Sequence, residues 1–94
     1  MSSLDIIAGR IIKEQELIIG PLAWEEARKV HGVNIIEVKS GQVHIQNGDP
    51  REVINKLVSQ YELIFGRASR EVSRQAVAGM LSSLQPAEVP SSLA

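Results

Sequence analysis

The chain has no cysteine. That excludes a disulfide, a zinc–thiolate centre and a thiol nucleophile, and it fits a reducing compartment. Tryptophan, tyrosine and phenylalanine occur once each, as Trp24, Tyr61 and Phe65. The formal net charge of −1 gives no overall pull toward nucleic acid or acidic lipid. The longest apolar run, Leu17 to Trp24, falls far short of the roughly 20 residues that span a bilayer. Met1-Ser2-Ser3-Leu4-Asp5 has neither the basic start nor the apolar centre of a targeting segment, so a cytoplasmic protein is expected.

The parts of an active site are also missing. There is no nucleophile elbow and no glycine-rich phosphate loop, and Gly41 and Gly48 read as isolated turn glycines. His31 and His44 are the only histidines, and neither has a second ligand at metal-binding spacing. His31 suits a helix end, where an imidazolium meets exposed carbonyls. His44 suits a cross-strand pair with Glu37. Glu14, Glu16, Glu25 and Glu26 stand beside Lys and Arg, as on a solvated helix face. The expectation is a protein without catalytic activity, cofactor or metal. A small-molecule binder would need a pocket near Trp24 or Tyr61.

What is present is aliphatic periodicity. Ser2 can cap a first helix with Asp5 as its capping-box partner. Leu4, Ile7, Ile11, Ile18 and Leu22 then come at helical spacing. Gly20-Pro21 either kinks this helix or ends it, with a restart from Pro21 to about Val30. The period changes to two around Ser40-Gly41. A two-residue loop there pairs Val38 with Val43, Glu37 with His44 and Ile36 with Ile45, placing the aliphatics on one face. Asp49 and Pro50 start a last helix, with Glu52 placed to complete a capping box. An apolar stripe from Val53 to Ala76 predicts that it runs on to Leu84. The alternative is that Gly66 ends one helix and turns into another. Residues 85–94 read as a flexible Pro/Ser-rich tail. The expected fold is one α+β domain over residues 1–84, ordered helix, β-hairpin, long helix.

Two segments resemble one another. Leu17-Ile18-Ile19-Gly20-Pro21-Leu22-Ala23-Trp24-Glu25-Glu26-Ala27-Arg28 lines up with Leu63-Ile64-Phe65-Gly66-Arg67-Ala68-Ser69-Arg70-Glu71-Val72-Ser73-Arg74. Small residues come after each glycine at helical spacing: Ala23 and Ala27 in one copy, Ser69, Ser73 and Ala76 in the other. Such edges suit close helix crossings, with Gly20 and Gly66 expected to admit the contact.

A helix from Pro50 to Leu84 would run roughly 50 Å, longer than one hairpin and one kinked helix can cover. A lone hairpin is marginal in water. Both arguments predict a homodimer, with helices forming a four-helix bundle and hairpins pairing or covering it. Ile6, Leu17 and Trp24 fall on one line away from the main stripe, and Leu63 lies behind the stripe of the long helix. These residues, with Gly20 and Gly66, are the expected oligomer or partner contacts. Lys56, Arg67, Arg70 and Arg74 form a basic side of the long helix, suited to an acidic protein or a phosphate backbone. Glu62, Glu71 and the lack of aromatic platforms there disfavour nucleic acid. The expected function is an interaction or regulatory module presenting a composite protein-binding surface, the alternative a nucleic-acid-binding dimer.

Overall fold

The computed structural model describes residues 2–94. Helix α1 spans Ser3–Ile19 and α2 Leu22–Arg28. Strands β1 (Val33–Glu37) and β2 (Gln42–Ile45) form an antiparallel hairpin. Helices α3 (Pro50–Phe65) and α4 (Ala68–Leu81) come next. Two 3₁₀ turns, Pro86–Glu88 and Ser91–Leu93, close the chain. The result is an α+β fold with four helices and one hairpin among the described residues. None of the described helices is long and apolar enough to cross a membrane.

The ends of α1 are set by local chemistry. Ser2 accepts from the Asp5 N–H while Asp5 accepts from the Ser2 N–H, which satisfies two orphan donors of the first turn. Gly20 ends the helix at φ 69° and ψ −154°, a region that is essentially glycine's alone. Asp49 caps α3 by accepting from the Arg51 N–H, with Pro50 at the first helical position. The expected return bond from Glu52 does not form among the described residues.

The long helix expected from Pro50 to Leu84 is two helices. Gly66, at φ 88° and ψ −179°, ends α3. The chain re-enters helical geometry at Arg67 and α4 packs back on α1 and α3. The apolar stripe reads through Gly66 because both helices bury the same kind of face. Periodicity therefore missed the break, and the backbone conformation open to glycine made it. Four helices pack together within one chain, so an uncovered long helix no longer argues for a second chain.

The hairpin register also differs from expectation. Val33 pairs with Ile45, Asn34 with His44 and Ile35 with Val43, and an irregularity comes after Ile35. Val38 leaves the ladder because its carbonyl accepts from the Gly41 N–H to close the turn. Ile35 therefore takes the inward place expected of Ile36, and Ile36 faces outward. A one-residue slip exchanges the two faces of a strand.

The core is aliphatic. Ile7, Ile11 and Ile12 of α1 meet Ile54, Leu57 and Val58 of α3, with Val77 of α4 and Val43 of β2 completing it. Hairpin and α1 approach closely at two glycines: a Cβ on Gly9 would fall on the carbonyl oxygen of Gly41. The segment expected to be a flexible tail packs back on the fold, with Pro90, Ser92 and Leu93 buried against α3 and α4. Leu93 supplies the apolar anchor that the Pro/Ser composition masked.

Candidate functional site

Both resembling segments are helix corners built alike. The Gly20 N–H donates to the Glu16 carbonyl at 2.9 Å and the Gly66 N–H to that of Glu62 at 2.8 Å. The Gly20 carbonyl accepts from Ala23 at 3.0 Å and the Gly66 carbonyl from Ser69 at 3.1 Å. Pro21 and Arg67, the residues after each glycine, share right-handed helical geometry. Each corner is also bridged by side chains over the same span: Trp24 Nε1 donates to Glu16 Oε2 at 2.9 Å, and Arg70 donates through Nε to Glu62 Oε2 at 3.0 Å and through Nη2 to Oε1 at 3.4 Å.

The corners bind each other reciprocally. Gln15, five residues before Gly20, donates through Nε2 to the Ser69 carbonyl at 3.0 Å and to Ser73 Oγ at 3.2 Å. Tyr61, five residues before Gly66, donates through its hydroxyl to the Ala23 carbonyl at 2.7 Å. Ser69 and Ala23 are themselves equivalent positions. The small-residue edges expected to mediate close crossings are thus used here. Ala23 and Ala27 are buried, as are Ser69 and Ser73. Burial pushes the Tyr61 hydroxyl well above the ordinary phenol range, with the Glu26 charge adding to the effect. Among the described residues, every buried side-chain polar atom has a hydrogen-bond partner.

The two glycines do something other than expected. A Cβ on Gly20 or Gly66 would meet nothing within 4 Å, so neither admits a close contact. They supply the turn. Close contacts are admitted instead at Gly9, Gly32 and Gly41; Gly9 escaped sequence reasoning because its signal lies in its distant neighbour Gly41.

The expected contact residues divide. Trp24 is only 2% exposed and belongs to the chain's own core, because the break at Gly20 turns it off the α1 line. Ile6, Leu17 and Leu63 do lie at the surface, with Leu17 80% and Leu63 79% exposed. Ile18 and Ile64, the next residue at each corner, are also exposed. Ile6 and Leu17 flank a groove of about 630 Å³ between α1 and the hairpin turn. Arg10 and Lys13 line it as well. Arg10 pairs with Glu14 at 3.7 Å and Lys13 with Glu16 at 3.3 Å. Leu63 borders a second groove, of about 500 Å³, with Lys29, His31 and Lys56. Trp24 and Tyr61 line neither.

The expected basic side is divided by the Gly66 corner. Lys56 stands on α3, Arg67 at the corner, and Arg70 and Arg74 on α4. Arg70 is held by Glu62 at 3.0 Å and Arg74 by Glu71 at 3.1 Å. These four cations do not form a continuous stripe.

Asp5 fastens the hairpin to α1. Its Oδ1 accepts from the Ile45 N–H at 2.8 Å, and its Oδ2 lies 3.2 Å from His44 Nδ1. Burial works to raise the Asp5 pKa, but the N–H groups of Ile45 and Ser2 together with His44 outweigh it and hold the carboxyl below its ordinary value of 3.8. His44 therefore faces Asn34 along the ladder and Asp5 across it, in place of the expected Glu37. Among the described residues, no three of His, Asp and Glu converge as metal ligands would.

No family model matches the chain, and no curated protein and no solved structure is significantly similar to it.

Proposed function

We propose that this protein is a non-catalytic module that associates with a second copy and presents a composite protein-binding surface. The observation that carries the reading is the repeated exposure of paired aliphatics at equivalent corners, Leu17-Ile18 and Leu63-Ile64. Single exposed leucines are ordinary. Here a Leu-Ile pair sits just before each corner glycine, where the preceding helix ends and no further turn can cover it. Ile6 extends the first of these surfaces along the groove beside the hairpin.

Light scattering across a dilution series tests the reading, with Leu17→Glu and Leu63→Glu beside the parent chain. The expected result is a concentration-dependent dimer that at least one substitution converts to a monomer, without loss of the helical circular-dichroism signal. A parent chain that stays monomeric at every concentration removes self-association.

A further inference from the structure

The second half of the fold is covered by a piece of chain with two unlike parts. Ser82, Ser83 and Gln85 to Glu88 are exposed, whereas Pro90, Ser92 and Leu93 are buried. Leu84 rests partly against the core. Among the described residues, the Ser82 and Ser83 hydroxyls donate back to the Gly79 and Met80 carbonyls at the end of α4, and Gln85 to Glu88 touch the body through one side-chain hydrogen bond, from the Arg51 guanidinium to the Ala87 carbonyl. The buried part is read in detail. Asn55 Oδ1 accepts from the Ser92 N–H at 3.0 Å and from the Ser92 hydroxyl at 2.7 Å. The Leu93 N–H closes a tight turn onto the Pro90 carbonyl at 3.0 Å, and the Leu93 side chain is 2% exposed.

The positions involved correspond across the two halves. At the Gly20-to-Gly66 spacing, Asp5 matches Arg51 and Gly9 matches Asn55. In the first half these positions hold the hairpin, through the Ile45 N–H and the Gly41 backbone. In the second half they hold the tail. The hairpin is also held by a strand ladder; the tail is held without one. Beside Leu93 a shallow surface depression of about 190 Å³ lies along the outer side of α4, lined by Arg74, Ala78 and Leu81.

We propose that the α3–α4 cleft is a peptide-binding site occupied in cis by the chain's own Pro90–Leu93 turn, which acts as a displaceable strap. The ligand class is a short peptide with proline followed by a hydroxyl residue and a large aliphatic, at the spacing of Pro90, Ser92 and Leu93. Asn55 reads the backbone donor and the hydroxyl together, and the α3–α4 crevice takes the aliphatic side chain. Tethering keeps the resident segment at high local concentration, so a free peptide competes poorly until that segment is weakened. The proposal stands apart from self-association at the corners.

The test uses the full chain, ¹⁵N-labelled, titrated with a synthetic peptide of residues 89–94. In Leu93→Asp the peptide is expected to shift amide signals around Asn55 and Ala78 with at least tenfold higher affinity than in the parent chain. Adding Asn55→Ala should then weaken binding at least fivefold. Equal affinity for parent and Leu93→Asp, shifts elsewhere, or no binding to a folded Leu93→Asp chain overturns the proposal. Should Leu93→Asp fail to fold, hydrogen exchange on the parent chain decides. Ser92 and Leu93 amides exchanging at least a hundredfold faster than those of Ile11 and Leu57 support a strap that opens alone. Equal protection overturns it.

Discussion

The corner at Gly20 and the corner at Gly66 share a backbone path and differ in the side chains that leave it. Trp24 and Arg70 occupy one position, and each donates to a glutamate eight residues earlier. Trp24 carries its ring into the core, so its bond fixes a buried anchor. Arg70 points to solvent, so its bond holds a surface ion pair. The same connection thus stabilises the fold at one corner and decorates it at the other. Hydrogen-bond geometry alone would rank them together; burial separates them.

The largest expected effect breaks that comparison directly. Trp24→Ala should cost about 3–5 kcal/mol, the range for removing a buried aromatic side chain. Arg70→Ala should cost less than about 0.5 kcal/mol, since exposed ion pairs contribute little and are screened by salt. Urea unfolding of both variants checks the ratio, and comparable losses would contradict the assignment of Trp24 to the core.

The coverings of the two halves differ in the same sense. Asp5→Ala removes a buried carboxylate that accepts from Ile45 and Ser2 and should cost about 2–3 kcal/mol, the scale of hydrogen bonds to a charged group. The folded Asp5 pKa lies below its ordinary value, so its contribution is complete above that value and is lost as pH falls through the folded one. Acid titration of the parent chain should therefore show a loss of stability below about pH 4 that is smaller in Asp5→Asn. An unchanged acid limb would mean that Asp5 is not what fastens the hairpin.

Much of this arrangement is legible in the sequence, for identifiable reasons. The capping box at Ser2 and Asp5, the start at Asp49-Pro50 and the existence of a hairpin around Gly41 are local chemistry, settled within a few residues. The resemblance between the two segments is also visible, although its meaning is not. It reads as two helix faces made for close packing, whereas the glycines set two turns and the small residues after them make the contacts. Register and helix length escape because they depend on distant partners. Ile35 and Ile36 are equally suited to face inward until the Gly41 turn and the Gly9 contact fix the hairpin. The stripe through Gly66 looks continuous until α4 is seen to return. The tail conceals Leu93 within a composition typical of unstructured ends. The exposed leucines at both corners lie where the patterns leave them, outside the main stripes, and Trp24 fails to join them only because the chain turns at Gly20.

The smaller effects concern what the corners share. Gly20→Ala and Gly66→Ala should each cost about 1–2 kcal/mol, because both glycines hold positive φ at an extended ψ that a Cβ disfavours. The open space around each makes these costs conformational, so they should agree within about 0.5 kcal/mol. A marked inequality would show that one corner is held by packing that the other lacks.

The reciprocal bonds offer the finest test. Tyr61→Phe removes the donor to the Ala23 carbonyl, and Gln15→Leu removes the donor shared by the Ser69 carbonyl and Ser73 Oγ while keeping similar bulk. Each should cost about 1 kcal/mol, the usual net worth of a hydrogen bond. The accepting carbonyls retain other partners: Ser69 still accepts from Ser73 Oγ at 3.0 Å, and Ala23 lies within the helical ladder of α2. The informative quantity is the double variant. If the corners hold one another as a unit, loosening one lets its neighbour drift, and part of the second bond is already lost. The double variant should then cost at least about 0.5 kcal/mol less than the sum of the singles, outside the agreement expected of independent sites. Strict additivity in a urea-unfolding cycle would mean that α1 grips α4 and α3 grips α2 separately, and that the correspondence between the corners has no energetic counterpart.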